Sequence, residues 1–266
     1  MRFDYYTASI DTKADAVLGF LESSYDLSEV QATTPRNGYE RAYKLVRGDR
    51  VLSTVMFGGN GVGARVWASA TGENAPEFAD LIRSEFRGHN LLRADVAIDY
   101  CESGAWDSLY HHAVETADRH RLKVEHRGDY HRGIDGRTVY IGSRKSSAFQ
   151  RTYEKGKQTG GNPDHVRVEL ELKPQNPKAK LVYSYASPEQ MLLATRWTQD
   201  YYQVLEGLTG IRPAPPGTIR KKSDDDRALE FMARQYGNVL RRKLEEMGGD
   251  LETFGMYIAG ILPPKT

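Results

Sequence analysis

Three segments of the sequence alternate apolar residues with charged or hydroxyl-bearing ones. The charged and hydroxyl-bearing residues are of types that could act on a phosphodiester. The alternating positions are Arg93, Asp95 and Asp99 in residues 92–99, Arg151, Tyr153 and Lys155 in residues 149–155, and Arg167, Glu169, Glu171 and Lys173 in residues 166–173. Successive side chains of a strand point to opposite faces, so each set predicts one polar face. A single such face is ordinary for a solvated antiparallel sheet. Three neighbouring ones would combine carboxylates, a tyrosine and several cations.

Carboxylates and a tyrosine on one surface indicate metal-assisted phosphate chemistry. Carboxylate oxygens are the ligands that hard divalent cations such as Mg²⁺ or Mn²⁺ prefer. Tyr153 stands between Arg151 and Lys155, and Arg and Lys side chains orient and neutralise a phosphodiester. If the three strands are neighbours, the tyrosine would meet a phosphate beside a metal ion.

A basic stretch surrounds this tyrosine. Residues 137–157 contain six Lys or Arg and one acid, Glu154, a local charge of +5 in a chain whose net charge is +1. A solvated turn is the more common reason for a charged stretch, but such a concentration also suits a nucleic-acid backbone. Its position beside Tyr153 favours phosphate binding.

The elements that must hold these residues follow from periodicity and turn signals. Strands are predicted at 3–10, 43–46, 51–57, 64–68 and 91–100 and in the stretch 124–173, and helices at 12–23, 76–86, 105–121 and across 178–208. A last helix is predicted to begin at Ser223, after a Pro- and Gly-rich linker at about 210–222. The pattern predicts an α+β fold, with a mostly antiparallel central sheet, helices on one face and a helical C-terminal region. The predicted units are a core at 1–173, with the catalytic motifs in 91–173, and a helical region at 174–266.

Composition limits the class of protein. The 266 residues carry 37 Lys and Arg against 36 Asp and Glu, so no whole-molecule field attracts a polyanion, and such binding needs a local patch. Cys101 is the one cysteine, which excludes an internal disulfide framework. The longest apolar run near an end is too short to span a bilayer. We expect a soluble cytoplasmic protein with no membrane partner.

Taken together, the motifs resemble the Rep_trans-type replication initiation factors of rolling-circle plasmids and filamentous phages, which are related to conjugative nicking relaxases. The resemblance covers about residues 90–173 and lies in Arg93-Ala94-Asp95-Val96-Ala97-Ile98-Asp99, Tyr140-Ile141-Gly142-Ser143-Arg144-Lys145-Ser146, Arg151-Thr152-Tyr153-Glu154-Lys155 and Arg167-Val168-Glu169-Leu170-Glu171-Leu172-Lys173. It implies a fold like that of the His-hydrophobe-His nickases. No His-x-His occurs in this sequence, so carboxylates would have to bind the metal.

The resemblance implies a sequence-specific single-strand DNA endonuclease and ligase, which forms a 5′-phosphotyrosine and leaves a 3′-hydroxyl primer. Tyr153 carries over as the nucleophile, with Tyr140 as the alternative, and Arg151 and Lys155 with the metal should favour the Tyr153 phenolate. The implied ligands of Mg²⁺ or Mn²⁺ are Asp95 and Glu169, with Asp99 and Glu171 as further candidates. The expected DNA- or phosphate-binding residues are Arg93, Arg144, Lys145, Ser146, Arg151, Lys155 and Arg167.

The implied partners are single-stranded DNA, duplex origin DNA and a host helicase. Ending a replication round needs a second cleavage, and only Tyr153 lies in the nucleophile motif, so we expect a homodimer. The basic runs 220–222 and 241–243 are candidates for duplex recognition, and an ordinary helix surface explains them equally well. Two other functions remain open: a conjugative relaxase with the same chemistry, and a non-catalytic DNA-binding regulator.

Overall fold

The computed structural model describes residues 1–26, 29–60, 63–208 and 224–261, and in these residues ten strands form one sheet. The strands are β1 (Arg2–Asp11), β2 (Glu29–Ala32), β3 (Arg41–Arg47), β4 (Arg50–Phe57), β5 (Arg65–Thr71), β6 (Asn90–Tyr100), β7 (Val124–Arg127), β8 (Thr138–Gly142), β9 (Ala148–Tyr153) and β10 (Val166–Leu172). Their order across the sheet is β2-β3-β4-β5-β1-β6-β10-β9-β8-β7, with antiparallel pairing throughout. The predicted antiparallel sheet is confirmed.

Helices cover one face of this sheet. They are α1 (Ala14–Tyr25), α2 (Ala75–Glu85), α3 (Ala105–His120), α5 (Pro177–Tyr183), α6 (Pro188–Leu192) and α7 (Arg196–Glu206), with a 3-10 turn at Gly72–Asn74. The short α4 (Lys155–Thr159) follows the end of β9 and adds no side chain to this core. Alternate residues of the central strands, such as Tyr6 and Ala8, are fully buried in one core cluster with Phe78 of α2 and Tyr202 of α7. Each large apolar side chain buried here contributes roughly 1.5–3 kcal/mol.

The helices after β10 belong to the same core as the sheet. Tyr202 of α7 donates a hydrogen bond of 2.8 Å to Oε1 of Gln150 on β9. Ser184, just after α5, accepts at its Oγ from the main-chain N of Leu91 at 2.9 Å, and its carbonyl accepts from Tyr6. The first compact unit therefore extends to Gly217, past the predicted boundary at residue 173, because α5–α7 cover apolar sheet surface.

The second unit, Thr218–Thr266, contains the helices α8 (Asp224–Glu246) and α9 (Leu251–Ile261). Gly248 and Gly249 stand between them with φ of 67° and 78°, a backbone conformation that glycine adopts without strain. Lys243 of α8 lies with its Nζ 5.7 Å from the ring centroid of Tyr257 on α9. The predicted linker and Ser223 lie outside the described residues. Among those described, no helix is both long and apolar enough to cross a membrane.

Candidate active site

The strands β6, β10, β9 and β8 are neighbours, and they bring the charged motifs together. The directly opposed pairs include Asp95 with Glu171, Glu169 with Arg151, Arg167 with Tyr153, and Tyr140 with Arg151. Opposed residues of an antiparallel pair point to the same face. The predicted shared face is therefore confirmed, and we call it the polar face. It is the face opposite the packed helices.

Tyr153 ends β9 on the polar face. It is partly buried, and its hydroxyl donates a hydrogen bond of 3.3 Å to Oε2 of Glu169 on β10. Lys155, in the first turn of α4, holds its Nζ 5.7 Å from the centroid of the tyrosine ring. The neighbouring Arg151 is hydrogen-bonded to the other oxygen of Glu169. The tyrosine thus has a carboxylate as its hydrogen-bond acceptor and cations on both sides.

The flanking cations alone do not favour the Tyr153 phenolate, and the expected effect of a bound metal ion stays a prediction. Burial and the charge of Glu169 raise the pKa of Tyr153 above its ordinary value, and Arg167 and Arg151 only partly offset them. The free energy needed to desolvate a phenolate exceeds the stabilisation that these two cations provide. With these protein groups alone, Tyr153 keeps its proton, which must leave when the phenol oxygen attacks.

Asp95 and Glu169 form a buried carboxyl pair, and each is 1% exposed. Arg93 donates to Asp95 from Nε at 2.7 Å and from Nη2 at 2.5 Å, and its Nη2 lies 2.8 Å from Glu171. Arg151 lies 3.6 Å from Asp95 while it holds Glu169. Burying charge is costly unless it is paired. These two arginines, with Lys173 at 2.5 Å from Glu171, compensate the three carboxylates.

Burial raises the pKa of Asp95 to about 7, and the charge and hydrogen bonding of Glu169 add to the rise, against Arg93. Two carboxyl groups this close are unfavourable when both are charged, and a cation between them relieves the repulsion. In the described residues, no three His, Cys, Asp or Glu side chains are grouped so that they could hold one metal ion. Mg²⁺ is usually held by one or two carboxylates, with water and substrate phosphate completing its shell. Asp95 and Glu169 fit that pattern.

Asp99, the third metal-ligand candidate, is engaged elsewhere. Arg167 donates to its two oxygens at 2.7 and 2.8 Å, and His165 contacts it at 2.7 Å. Against the cost of burial, these contacts lower the pKa of Asp99. The remaining nitrogen of Arg167 donates to Asp4 of β1 at 2.9 Å, so this buried guanidinium, opposite Tyr153, links β10 to β6 and β1.

Sequence analysis missed two members of this network, Asp4 and His165. His165 stands two positions before Arg167, so the alternation of β10 extended by one step would have placed it on the same face. Asp4 lies 163 positions away in sequence, and no local pattern reports such a contact.

The turn between β8 and β9 carries the other predicted phosphate-binding residues. Arg144, Lys145 and Ser146 are exposed. Ser146 Oγ lies 2.6 Å from the carbonyl oxygens of both Ser143 and Ala148, so its one proton is donated within the turn and stabilises it. Tyr140, the alternative nucleophile, lies on β8, and in the described part of the chain no hydrogen bond links its hydroxyl to a carboxylate.

These features define a class: an α+β protein whose antiparallel sheet carries helices on one face and a tyrosine with paired carboxylates on the other. The family model described as replication initiation factor matches residues 85–253, and the chain belongs to this family. One similar solved structure is a rolling circle replication initiator protein from Geobacillus stearothermophilus, at 20% identity and a TM-score of 0.49, covering 64% of this chain and 73% of that chain. No curated protein matches the sequence.

Proposed function

We propose that this protein initiates rolling-circle replication as an enzyme that nicks and rejoins one DNA strand at an origin. The observation that carries the proposal is the hydrogen bond from Tyr153 to Glu169 among cations on the polar face. Membership of the replication initiation factor family supports the process. A nucleophile paired with an acceptor, which is itself oriented by a third group, is the arrangement that covalent catalysis uses. Arg151 is that third group here.

In the proposed step, the phenol oxygen of Tyr153 attacks the scissile phosphorus in line. Glu169 takes the phenol proton through the oxygen that already accepts the hydrogen bond. The bond from phosphorus to the 3′ oxygen breaks, and that oxygen takes a proton from water to become a 3′-hydroxyl primer. The 5′ side remains on Tyr153 as a phosphotyrosine ester. Because the ester retains the phosphodiester energy, the 3′-hydroxyl can attack it and rejoin the strand without ATP.

Asp95 and Glu169 would hold the divalent metal ion, Mg²⁺ or Mn²⁺. When bound, the ion would act as a Lewis acid on the phosphate oxygen. Arg93 and Arg151 neutralise the same carboxylates in this structure. Both arginines are partly exposed, so they can turn toward phosphate oxygens. Asp99 and Glu171 are engaged by Arg167 and by Arg93, and we assign them to positioning.

Single-stranded DNA would follow the cations of the polar face, with Lys155, Arg144 and Lys145 along its backbone. Duplex origin DNA is assigned to α8 and α9, where Arg241 and Arg242 are exposed. The second basic run, residues 220–222, lies outside the described residues. A homodimer would supply a second Tyr153 for the cleavage that ends a round, and a host helicase would unwind the duplex from the nick.

The test is incubation of the protein with labelled single-stranded origin DNA and Mg²⁺, Mn²⁺ or a chelator. We expect a protein–DNA adduct that survives denaturation, forms only with metal and leaves a free 3′-hydroxyl. Specific binding without an adduct under any metal would instead support a non-catalytic regulator. Nicking of a transfer origin, with no nicking of a replication origin, would support a conjugative relaxase.

A further inference from the structure

A cleft of about 360 Å³ opens beside the Tyr153 site, where β7, β8 and β9 meet the turn between β8 and β9. Its lining includes Tyr140, Phe149, Arg127, Arg144, Lys123 and Lys145. We propose that this cleft binds an unstacked nucleobase of the single strand, one or two nucleotides from the phosphate that Tyr153 attacks. The inference rests on the proposed function and adds a base-binding subsite to it.

The floor of the cleft is a stacked aromatic pair. The ring centroids of Tyr140 and Phe149 are 5.5 Å apart, with 16° between the ring planes. Phe149 is only 5% exposed and fixes the orientation of the Tyr140 ring, which is partly open to the cleft. A base stacks on such a surface whatever its identity, because every base has a π-face.

Guanidinium groups already lie on these rings. Arg144 lies 5.5 Å from the centroid of Tyr140 and 4.8 Å from that of Phe149, and Arg127 lies 5.6 Å from Tyr140. A guanidinium is planar and stacks on aromatic rings, so Arg144 stands where a planar base would lie. Its side chain is exposed, and no ion pair holds it among the described residues. It can therefore swing from the rings to a phosphate when a base enters.

The charge of the cleft suits a nucleotide chain. Glu125 is the one acid of the lining, and Lys123 at 3.4 Å and Arg127 at 3.0 Å already neutralise it. Arg144 and Lys145 thus remain for phosphate groups on either side of the bound base. An aromatic floor with cationic walls is the combination that single-strand binding proteins use.

The position of the cleft relates it to the reaction. Across β8 and β9, Thr138 lies opposite Tyr153 and Tyr140 lies opposite Arg151. Tyr140 and Tyr153 are therefore diagonal neighbours, about 7–8 Å apart between Cα atoms. A base on Tyr140 belongs to a nucleotide close to the scissile phosphate, and its binding would set which phosphate reaches Tyr153.

The test measures affinity of the full-length chain for fluorescent oligothymidylate of about twelve nucleotides, and for an abasic oligomer of equal length. We expect Tyr140→Leu to weaken oligothymidylate binding about tenfold and to leave abasic binding unchanged, since only a base can stack. Tyr140→Phe, which keeps the ring, should bind within about twofold of wild type.

Tyr43→Leu is the matched control. Tyr43 also stacks on a phenylalanine, Phe57, with centroids 5.8 Å apart and 17° between planes. It lies opposite the core residue Val55, and therefore on the helix-covered face. The Tyr43→Leu variant should leave both affinities unchanged. Its stability shows how much the fold loses when a stacked tyrosine ring is removed.

Three results would overturn the subsite: unchanged oligothymidylate binding in Tyr140→Leu, equal losses on both oligomers, or equal losses in Tyr140→Leu and Tyr140→Phe. The metal-dependent adduct of the wild type is measured on the same preparations. If the wild type forms the adduct but binding of oligothymidylate does not depend on the Tyr140 ring, the subsite proposal fails and the nicking proposal stands. Ring-dependent binding with no adduct would remove the nicking proposal and leave the subsite.

Discussion

The hydroxyl of Tyr153 on β9 donates a hydrogen bond to Glu169 on the adjacent strand β10, over 3.3 Å. Burial and the charge of Glu169 raise the pKa of Tyr153, so the phenol keeps its proton near neutral pH. The same carboxylate is the group nearest to receive that proton. Glu169 thus adds to the effect of burial in opposing ionisation, and it is also positioned to accept the proton directly.

Replacing Glu169 tests this relationship. Glu169→Gln keeps the size and a hydrogen-bond acceptor but removes the proton acceptor and a proposed metal ligand. We expect single-turnover nicking to fall by about a hundredfold or more, with affinity for single-stranded DNA retained. The matched control is Glu171→Gln, on the same strand and face and also buried, which should lose less than tenfold. Similar rates for Glu169→Gln and wild type would remove Glu169 from the chemistry.

Metal binding should depend on Asp95 and not on Asp99. Asp95→Asn removes one carboxylate of the buried pair, and we expect it to weaken Mn²⁺ binding at least tenfold by calorimetry. Asp99→Asn should stay within about twofold, because Arg167 and His165 already occupy that carboxylate. A chelator should stop nicking and spare DNA binding. A larger loss of Mn²⁺ affinity in Asp99→Asn than in Asp95→Asn would make Asp99 the metal ligand and Asp95 the positioning residue.

Glu154, directly after Tyr153, should stabilise the end of β9. Its oxygens accept from the main-chain N of Arg137 at 2.8 Å, from the Arg137 guanidinium at 2.8 and 3.0 Å, and lie 2.9 Å from Lys157. Burial raises its pKa, but these contacts outweigh burial and lower the pKa of Glu154 to about 2. We expect Glu154→Gln to cost about 2 kcal/mol of unfolding free energy at pH 7.

The sign of the pH dependence follows from the lowered pKa of Glu154. Its contribution is complete above the ordinary value of 4.5 and is lost as pH falls toward 2. The stability gap between wild type and Glu154→Gln, measured by chemical denaturation, should therefore narrow from pH 7 to pH 3. Glu125→Gln, which loses only exposed ion pairs, is the control and should show little gap. A gap for Glu154→Gln that stays constant with pH would contradict the assignment.

The turn between β8 and β9 should contribute phosphate contacts. Arg144→Ala and Lys145→Ala should each reduce the slope of log K against log salt for single-stranded DNA by about 0.7. Arg50→Ala removes an exposed arginine of β4 that pairs with Glu73 in the 3-10 turn, and its slope should match wild type. Unchanged slopes in both turn variants would place the backbone path elsewhere.

Much of the polar face was predictable because period-two alternation is a local property. The charged positions of β6, β9 and β10 share one face as expected, with Glu169 opposite Arg151 and Arg167 opposite Tyr153. What alternation does not give is which strands pair. The insertion of β10 between β6 and β9 joins segments about 70 positions apart, and only this insertion makes the three sets one surface.

The burial of the carboxyl pair and the protonation of Tyr153 could not be predicted from the sequence. Alternation predicts a solvated face, yet Asp95 and Glu169 are 1% exposed because Arg93 and Arg151 cover them. Burial of Tyr153 itself, together with the charge of Glu169, raises the pKa of the phenol against the effect of Arg151 and Arg167. The helices after residue 173 were predicted as a separate region, because their apolar positions do not report that the surface they cover is the sheet.

The most direct test of the central claim is identification of the residue that carries the DNA. Wild type, Tyr153→Phe and Tyr140→Phe are incubated with labelled single-stranded origin DNA and Mn²⁺, and the adducts are digested and mapped by mass spectrometry. We predict a 5′-phosphotyrosine on Tyr153 in wild type and in Tyr140→Phe, and no adduct in Tyr153→Phe. An adduct that persists in Tyr153→Phe would contradict the assignment, and its absence in Tyr140→Phe would move the nucleophile to Tyr140.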